Sequence, residues 1–179
     1  MKSIYNPADD SYFFQNFLKK YLSTESRKNR NFTFLDMGTG SGILAKTALK
    51  FLPPKNITAL DINEEAINSL KKEKFNKVKS NLFKSIKEKF DVIVFNAPYL
   101  PMDKREPIDS QLATTGGKKG DEISMRFLKQ AKNHLKENGK IFLLISSLTP
   151  MKRINKFNPK IVAKKKIFME EIRILEFKN

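Results

Sequence analysis

The chain has 179 residues, 40% of them apolar, which is the size of one domain with enough material to bury its own core. It holds no cysteine and one histidine, which excludes disulfides, thiolate metal sites and histidine-based metal centres or triads; chemistry is left to amides, carboxylates, hydroxyls or a bound cofactor. The net charge of +16 favours polyanionic surroundings such as RNA or the ribosome, but only six of the 35 basic residues are Arg, so a general lysine bias in composition accounts for the charge equally well.

At the N-terminus, "MKSIYNPADDSYFF" carries acids where a signal peptide needs an unbroken apolar stretch, and no run of 18 apolar residues follows. The expectation is a cytoplasmic protein of one domain over residues 1–179, with residues 1–30 a helical segment of that domain and no membrane contact. Periodicity predicts an amphipathic helix over 12–22, a polar loop "STESRKNRN", and a strand over 32–37. After a glycine turn come a helix over 43–52 stopped by Pro53 and Pro54, a strand "ITALDI", and a helix from 64 to about 74. Strands are predicted over 78–83 and 90–95, then a helix over about 121–135, the strand "KIFLLISSL" and a terminal hairpin over 160–177. This alternation is that of an α/β domain with a mainly parallel sheet. Residues 100–120 lack periodicity, and so long a loop inside a compact domain is usually functional.

The turn "FLDMGTGSG" sets Gly38, Gly40 and Gly42 between a strand and a helix, where glycine permits close backbone approach to a ligand. It departs from the dinucleotide fingerprint, whose third glycine would fall at Ile43. Asp36 would repel a pyrophosphate there but suits an ammonium group. In "ALDIN" the next strand ends at Asp61, where a carboxylate can accept both hydroxyls of a ribose. Read separately, Asp36 is a turn residue and Asp61 an N-cap for the helix near Glu64. Read together with the glycines, Thr39 between them and Ile62 beside Asp61, they describe a site for a ligand with an ammonium end, a ribose and no phosphate, which is S-adenosylmethionine. By the same crevice rule Asn81 and Leu82, in "KSNLF", fall at the adenine.

"DVIVFNAPYLP" begins as a buried strand and delivers Asn96, Ala97, Pro98 and Tyr99 to its tip. A planar nitrogen, in a carboxamide or an exocyclic base amine, is a poor nucleophile because its lone pair is delocalised. Acceptance of its two N–H groups by the Asn96 side-chain oxygen and the Ala97 carbonyl would orient it and stabilise the positive charge developing on it. Pro98 biases Ala97 to extended angles, and the Tyr99 ring can stack on the planar group. An ordinary strand-to-loop turn is the plainer alternative.

With "LDMGTGSG", "ALDIN", "SNLF" and "FNAPYLP" in this order, the chain resembles the class I S-adenosylmethionine-dependent methyltransferases bearing the NPPY motif. More narrowly, "IYNPADDSYFF", "TTGGKKGDEISMRFL" and the terminal hairpin are similar to the HemK-related glutamine methyltransferases of archaeal and eukaryotic release factors. The resemblance implies a Rossmann-like fold with a mainly parallel seven-stranded sheet ending in an antiparallel hairpin. It implies methylation of the glutamine in the Gly-Gly-Gln segment of a class 1 translation release factor. Asn96, Ala97, Pro98 and Tyr99 would hold that glutamine, Asp36, Gly38, Asp61, Asn81, Leu82 and Ser11 the cofactor, and no metal is needed. It further implies a small zinc-binding activator protein paired along the third strand as a heterodimer. Three residues depart from the family pattern: Ala97 replaces the first proline, Asn81 an aspartate and Asn6 a glutamate.

The rival reading is an RNA or DNA methyltransferase acting on an exocyclic base amine, since a flipped adenine offers the same planar nitrogen. The charge favours it; the loop over 101–120, mixed in charge and without interleaved aromatics, does not. His134, near a helix end, reads as a solvated or dipole-facing residue. The lysines of "VAKKKIF" read as a solvated hairpin face, or as a weak contact to RNA or the ribosome.

Overall fold

The computed structural model describes residues 6–29, 31–103, 105, 107, 111 and 114–178. Seven strands form one sheet. They are β1 (Phe34–Met37), β2 (Ile57–Asp61), β3 (Asn76–Lys79), β4 (Phe90–Asn96), β7 (Leu135–Ser146), β8 (Lys160–Ile167) and β9 (Glu170–Lys178). Their order is β3-β2-β1-β4-β7-β9-β8. The first five run parallel; β9 is antiparallel to β7 and to β8. Two further short strands, β5 (Leu100–Pro101) and β6 (Thr115–Gly117), pair apart from the sheet within the long loop, with Leu100 opposite Thr115.

The central strands are apolar on both faces because both are covered. Alternate residues of β1 and β4 feed two cores. Leu35, Met37, Ile93 and Phe95 join Phe127 and Leu128 of the helix α4 (Glu122–Ala131). Phe34, Val92 and Val94 join the opposite cluster with Leu44 and Ala45 of α2 (Ile43–Ala48). The N-terminal helix α1 (Asp9–Lys28) adds Phe14, Leu18 and Leu22 to that second cluster, a stripe at i, i+4 and i+8 with no solvent exposure.

Several boundaries differ from the sequence reading. α1 continues through the polar "STESRK", its first turn acidic at Asp9 and Asp10 and its last turn basic at Arg27 and Lys28, so charge matched to the helix dipole extends it beyond its apolar stripe. The predicted strand over 78–83 is β3 followed by a 3-10 turn, Leu82–Ser85. There Ser80 takes over the hydrogen bonding, its hydroxyl donating to the Leu82 carbonyl at 2.8 Å and accepting from the Ser85 N–H at 3.0 Å. β7 starts at Leu135, five residues ahead of "KIFLLISSL", and absorbs the excess as an irregularity between the Phe90 and Val92 pairings, with Asn138 at φ 60°. His134, half-exposed at the end of a 3-10 turn, also has contacts within the fold: its ring stacks on Phe83 at 4.4 Å and its Nδ1 lies 3.1 Å from the Glu88 carbonyl. Among the described residues no helix is long and apolar enough to cross a membrane.

β1 pairs with β2 on one side and β4 on the other, so the strand order reverses at β1. The crevice outside the carboxyl ends of β1 and β4 is where open α/β sheets bind ligands.

Candidate active site

A cavity of about 340 Å³ opens at that crevice. It is lined by the tips of β1, β2 and β4, the start of α1, the turn after β3, and Ile123 and Arg126 of α4. Thirteen of the fourteen residues singled out in the sequence line it: Ser11, Asp36, Gly38, Thr39, Gly40, Asp61, Ile62, Asn81, Leu82, Asn96, Ala97, Pro98 and Tyr99. Gly42 does not. It stands at the head of α2 with φ 79°, and a Cβ there would meet Leu70 Cδ2 at 2.6 Å, so it serves the turn and the packing of α2.

The glycine turn is held from both sides by carboxylates. Asp36, 1% exposed, accepts on Oδ2 from the Thr39 hydroxyl at 2.7 Å and the Ala45 N–H at 3.0 Å. It thereby caps α2, whose own N-cap Gly42 has no side chain to do so. Burial pushes its carboxyl up to about 7, against the pull of those two donors and with a smaller push from Asp61. Asp61 accepts from the Gly40 N–H on Oδ2 and from the Asn63 N–H on Oδ1, both at 2.8 Å. The Ile62 backbone also donates to this carboxylate, so of its roughly four lone-pair sites about one is left for a ligand hydroxyl. Burial raises this carboxyl too. The N-cap of α3 (Glu64–Ser69) is Asn63, whose side chain accepts from the Glu65 N–H, so Asp61 is free of the capping role the plainer reading gave it. At Gly38, φ 62°, a Cβ would strike Phe95 Cε2 at 2.8 Å; at Gly40, φ 51°, it would meet nothing within 4 Å, leaving the backbone open to a ligand.

Beyond β3, Leu82 is 8% exposed and sits at φ 51°, a left-handed conformation costly for a residue with a branched side chain. Asn81 accepts on Oδ1 from the Arg126 guanidinium at 3.1 Å, which turns its NH₂ end away from α4.

At the β4 tip, the Asn96 side-chain NH₂ lies 3.1 Å from Asp10 Oδ2 and 3.4 Å from the Ser11 hydroxyl. Its Oδ1 is buried and has no hydrogen-bond partner among the described residues. A buried amide oxygen without a donor is rare and costly, and the residue that carries it lines the cavity. Ala97 is 2% exposed. The loop "TTGGKKG" packs on the motif through glycines: a Cβ on Gly116 would meet the Pro98 carbonyl at 2.6 Å, and one on Gly120 the Tyr99 carbonyl at 2.6 Å. Thr149 donates its hydroxyl to the same Tyr99 carbonyl at 3.2 Å.

Sequence reasoning missed Asp10, Phe95 and Arg126. Phe95 and Arg126 reach the cavity only through tertiary packing, whereas Asp10 stands beside Ser11 in "NPADDSYFF", where its charge counts in the sequence only against a signal peptide.

Residues 15–169 match the family described as methyltransferase small domain. A protein of Methanocaldococcus jannaschii named as a protein N5-glutamine methyltransferase is 38% identical over 96% of this chain and 90% of its own length. The release factor glutamine methyltransferase of Streptococcus pneumoniae is 34% identical over 72% of this chain, which spans 50% of that protein. In three dimensions the chain is similar to the N-methyltransferase NodS of Bradyrhizobium japonicum, solved with S-adenosyl-L-homocysteine. The TM-score is 0.64 at 14% identity, covering 97% of this chain and 89% of that one.

Proposed function

The chain belongs to the methyltransferase small domain family, and from that premise we propose that it methylates the side-chain amide nitrogen of a protein glutamine, that of the Gly-Gly-Gln segment of a class 1 release factor. The relatives named above support the reaction and the acceptor, in line with the HemK-related resemblance of the motifs. One observation carries the reading furthest. Asn96 Oδ1 is a buried acceptor awaiting a donor, at the tip of the strand beside the glycine turn.

The cavity residues fit S-adenosylmethionine as cofactor, with no metal in the reaction. Asp36 Oδ1, to which neither the Thr39 hydroxyl nor the Ala45 N–H donates, suits the ammonium end; the acceptor capacity that Asp61 keeps beside its backbone donors suits the ribose, with Ile62 beside it. Gly38, Thr39 and Gly40 give backbone approach, Asn81 and Leu82 border the base, and Ser11 borders the methionine part. Gly42 supports this set from outside the cavity. When bound, that cofactor supplies an electrophilic methyl group on a sulfonium.

The chain's own part is to prepare the acceptor nitrogen. Asn96 Oδ1 takes one N–H of the glutamine amide, the Ala97 carbonyl the other, and Pro98 and Tyr99 shape the slot. Both acceptors are held before the substrate arrives, so they stabilise the charge developing on nitrogen without reorganising. Residues 1–179 act as one domain in this scheme, with α1 sharing the core of the sheet. The partners we assign are the release factor as substrate, a small zinc-binding activator on the β3 edge, and a weak contact to RNA or the ribosome through the lysines.

Labelled methyl transfer tests the reading, with a release factor and total RNA offered in parallel, each with and without the activator. Label in the release factor that disappears when its Gly-Gly-Gln glutamine is replaced is the expected result. Label in RNA alone would overturn it in favour of a base amine.

A further inference from the structure

We infer that Asp10 is a positioning residue that fixes the polarity of the Asn96 amide, so that Asn96 meets the substrate as a hydrogen-bond acceptor and never as a donor. The inference rests on the proposed reaction only for its kinetic part.

Asp10 lies in the first turn of α1, is 6% exposed, and accepts from Ser11 and from Asn96 at once, the Ser11 hydroxyl among the donors at 3.3 Å from Oδ1. Its Oδ1 accepts from the Ser11 N–H at 2.6 Å, and its Oδ2 from the Asn96 NH₂ at 3.1 Å. The two ends of an asparagine amide are close to equal in size, so sterics alone do not orient it; the partner does. A carboxylate only accepts. With Asp10 beneath it, the NH₂ end must face α1, because the flipped amide would set Asn96 Oδ1 against Asp10 Oδ2 in a buried place. The oxygen is thereby turned to the other side, which is where it is found buried and unpartnered. The negative charge at the far end of the hydrogen bond also polarises the amide, making that oxygen a stronger acceptor. The consequence is selectivity for what enters the slot: an N–H group gains a partner, while a carbonyl or ester oxygen meets another acceptor.

Only a carboxylate can do this for both neighbours. An asparagine at position 10 has the same shape but one donor end, which must face either the Ser11 N–H or the Asn96 NH₂. Asp10→Asn therefore removes the device with little change of volume, and Asp10→Ala provides a second variant should the first disturb α1.

Two measurements test the inference. The first uses the free protein: proton exchange of the Asn96 side-chain amide, followed by nuclear magnetic resonance. Protection in the wild type and its loss in Asp10→Asn and Asp10→Ala are expected; unchanged protection in both folded variants would overturn the inference, whatever the enzyme methylates. The second is a double-mutant cycle on methyl transfer to whichever acceptor, release factor or RNA, the wild type labels. We expect Asp10→Asn to lower kcat roughly tenfold or more, the scale of one charge-assisted hydrogen bond, with cofactor affinity held within about threefold. In the Asn96→Ala background it should cost nothing further, because a residue acting through Asn96 loses its effect when Asn96 is gone. An equal loss in both backgrounds would overturn the inference and make Asp10 a structural residue of α1. Failure of glutamine labelling with protection intact would overturn the proposed acceptor and leave Asp10 in its role.

Discussion

In the proposed reaction Asn96 and Asp36 carry the two chemical tasks of the site, and each gives a distinct signature. Replacing Asn96 by alanine removes a buried acceptor that has no donor among the described residues. By the scale of a lost oxyanion-type contact, about 3 kcal/mol, kcat should fall roughly a hundredfold. Melting temperature should fall as well, since the Asn96 NH₂ bonds to Asp10 and Ser11 go with the side chain and leave the buried Asp10 carboxylate short of a donor, so kcat is compared in protein that is folded at the assay temperature. Equal kcat in wild type and variant would show that Oδ1 touches nothing that reacts. Asp36 is read by pH. Its folded-state carboxyl is raised from 3.8 to about 7, so the neutral form favours the fold: that contribution is complete below 3.8 and is lost as pH rises through about 7. A cationic ligand end prefers the ionised form, so cofactor binding should expel a proton below pH 7. Its affinity should climb with pH through about 7 and flatten before the ligand's own ammonium, near 8, loses charge. Titration calorimetry at pH 6 and 7.5, in buffers of different ionisation enthalpy, reads both effects. Constant affinity and no proton release would remove Asp36 from the ammonium site.

Between elements, the two outer glycines of the turn do different work. Both Gly38 and Gly42 have positive φ, at 62° and 79°, so alanine at either should cost about 1–3 kcal/mol of stability. At Gly38 the new methyl meets the rigid Phe95 ring, which lines the cavity; at Gly42 it meets the flexible end of Leu70, away from it. Gly38→Ala should therefore lose cofactor affinity as well as melting temperature, and Gly42→Ala melting temperature alone. Similar affinity losses in both would mean that the turn acts as one unit. This division was hidden in the sequence, where three evenly spaced glycines look alike. What was legible there were features set by short-range pattern: the alternation of strands and helices, the acids at the ends of β1 and β2, and the amide at the tip of β4. Less legible were features decided by which particular partner a polar side chain takes, near or far in the chain. Ser80 ends β3 early through its own hydroxyl, Asp36 caps a helix nine residues on, and Asp10 reaches Asn96 across 86 positions.

For the whole molecule, the open question is what meets the β3 edge of the sheet. β3 is four residues long and pairs with β2 alone in the sheet order, so it presents a row of backbone groups to the outside. Lys77 and Lys79 stand on it, the kind of charged residue that keeps a bare edge from pairing indiscriminately. The Lys79–Glu64 bridge beside it is exposed at both ends, and pairs of that kind contribute little to stability. An edge so short and weakly covered is also the easiest part of the sheet for a partner to extend by strand addition. With the zinc-binding activator proposed above, backbone amides over residues 76–79 should exchange much more slowly than in the free chain, while those of the interior strand β4 should change little. If the complex forms and the 76–79 amides exchange as before, the activator binds elsewhere and the edge is simply a guarded end of the sheet. The activator also bears on the +16 charge. Should the lysines serve RNA directly, RNA affinity of the chain alone would fall steeply with salt, with a slope set by the phosphates engaged. A shallow slope, with edge protection by the activator, would assign recognition to protein contacts and leave the charge to composition.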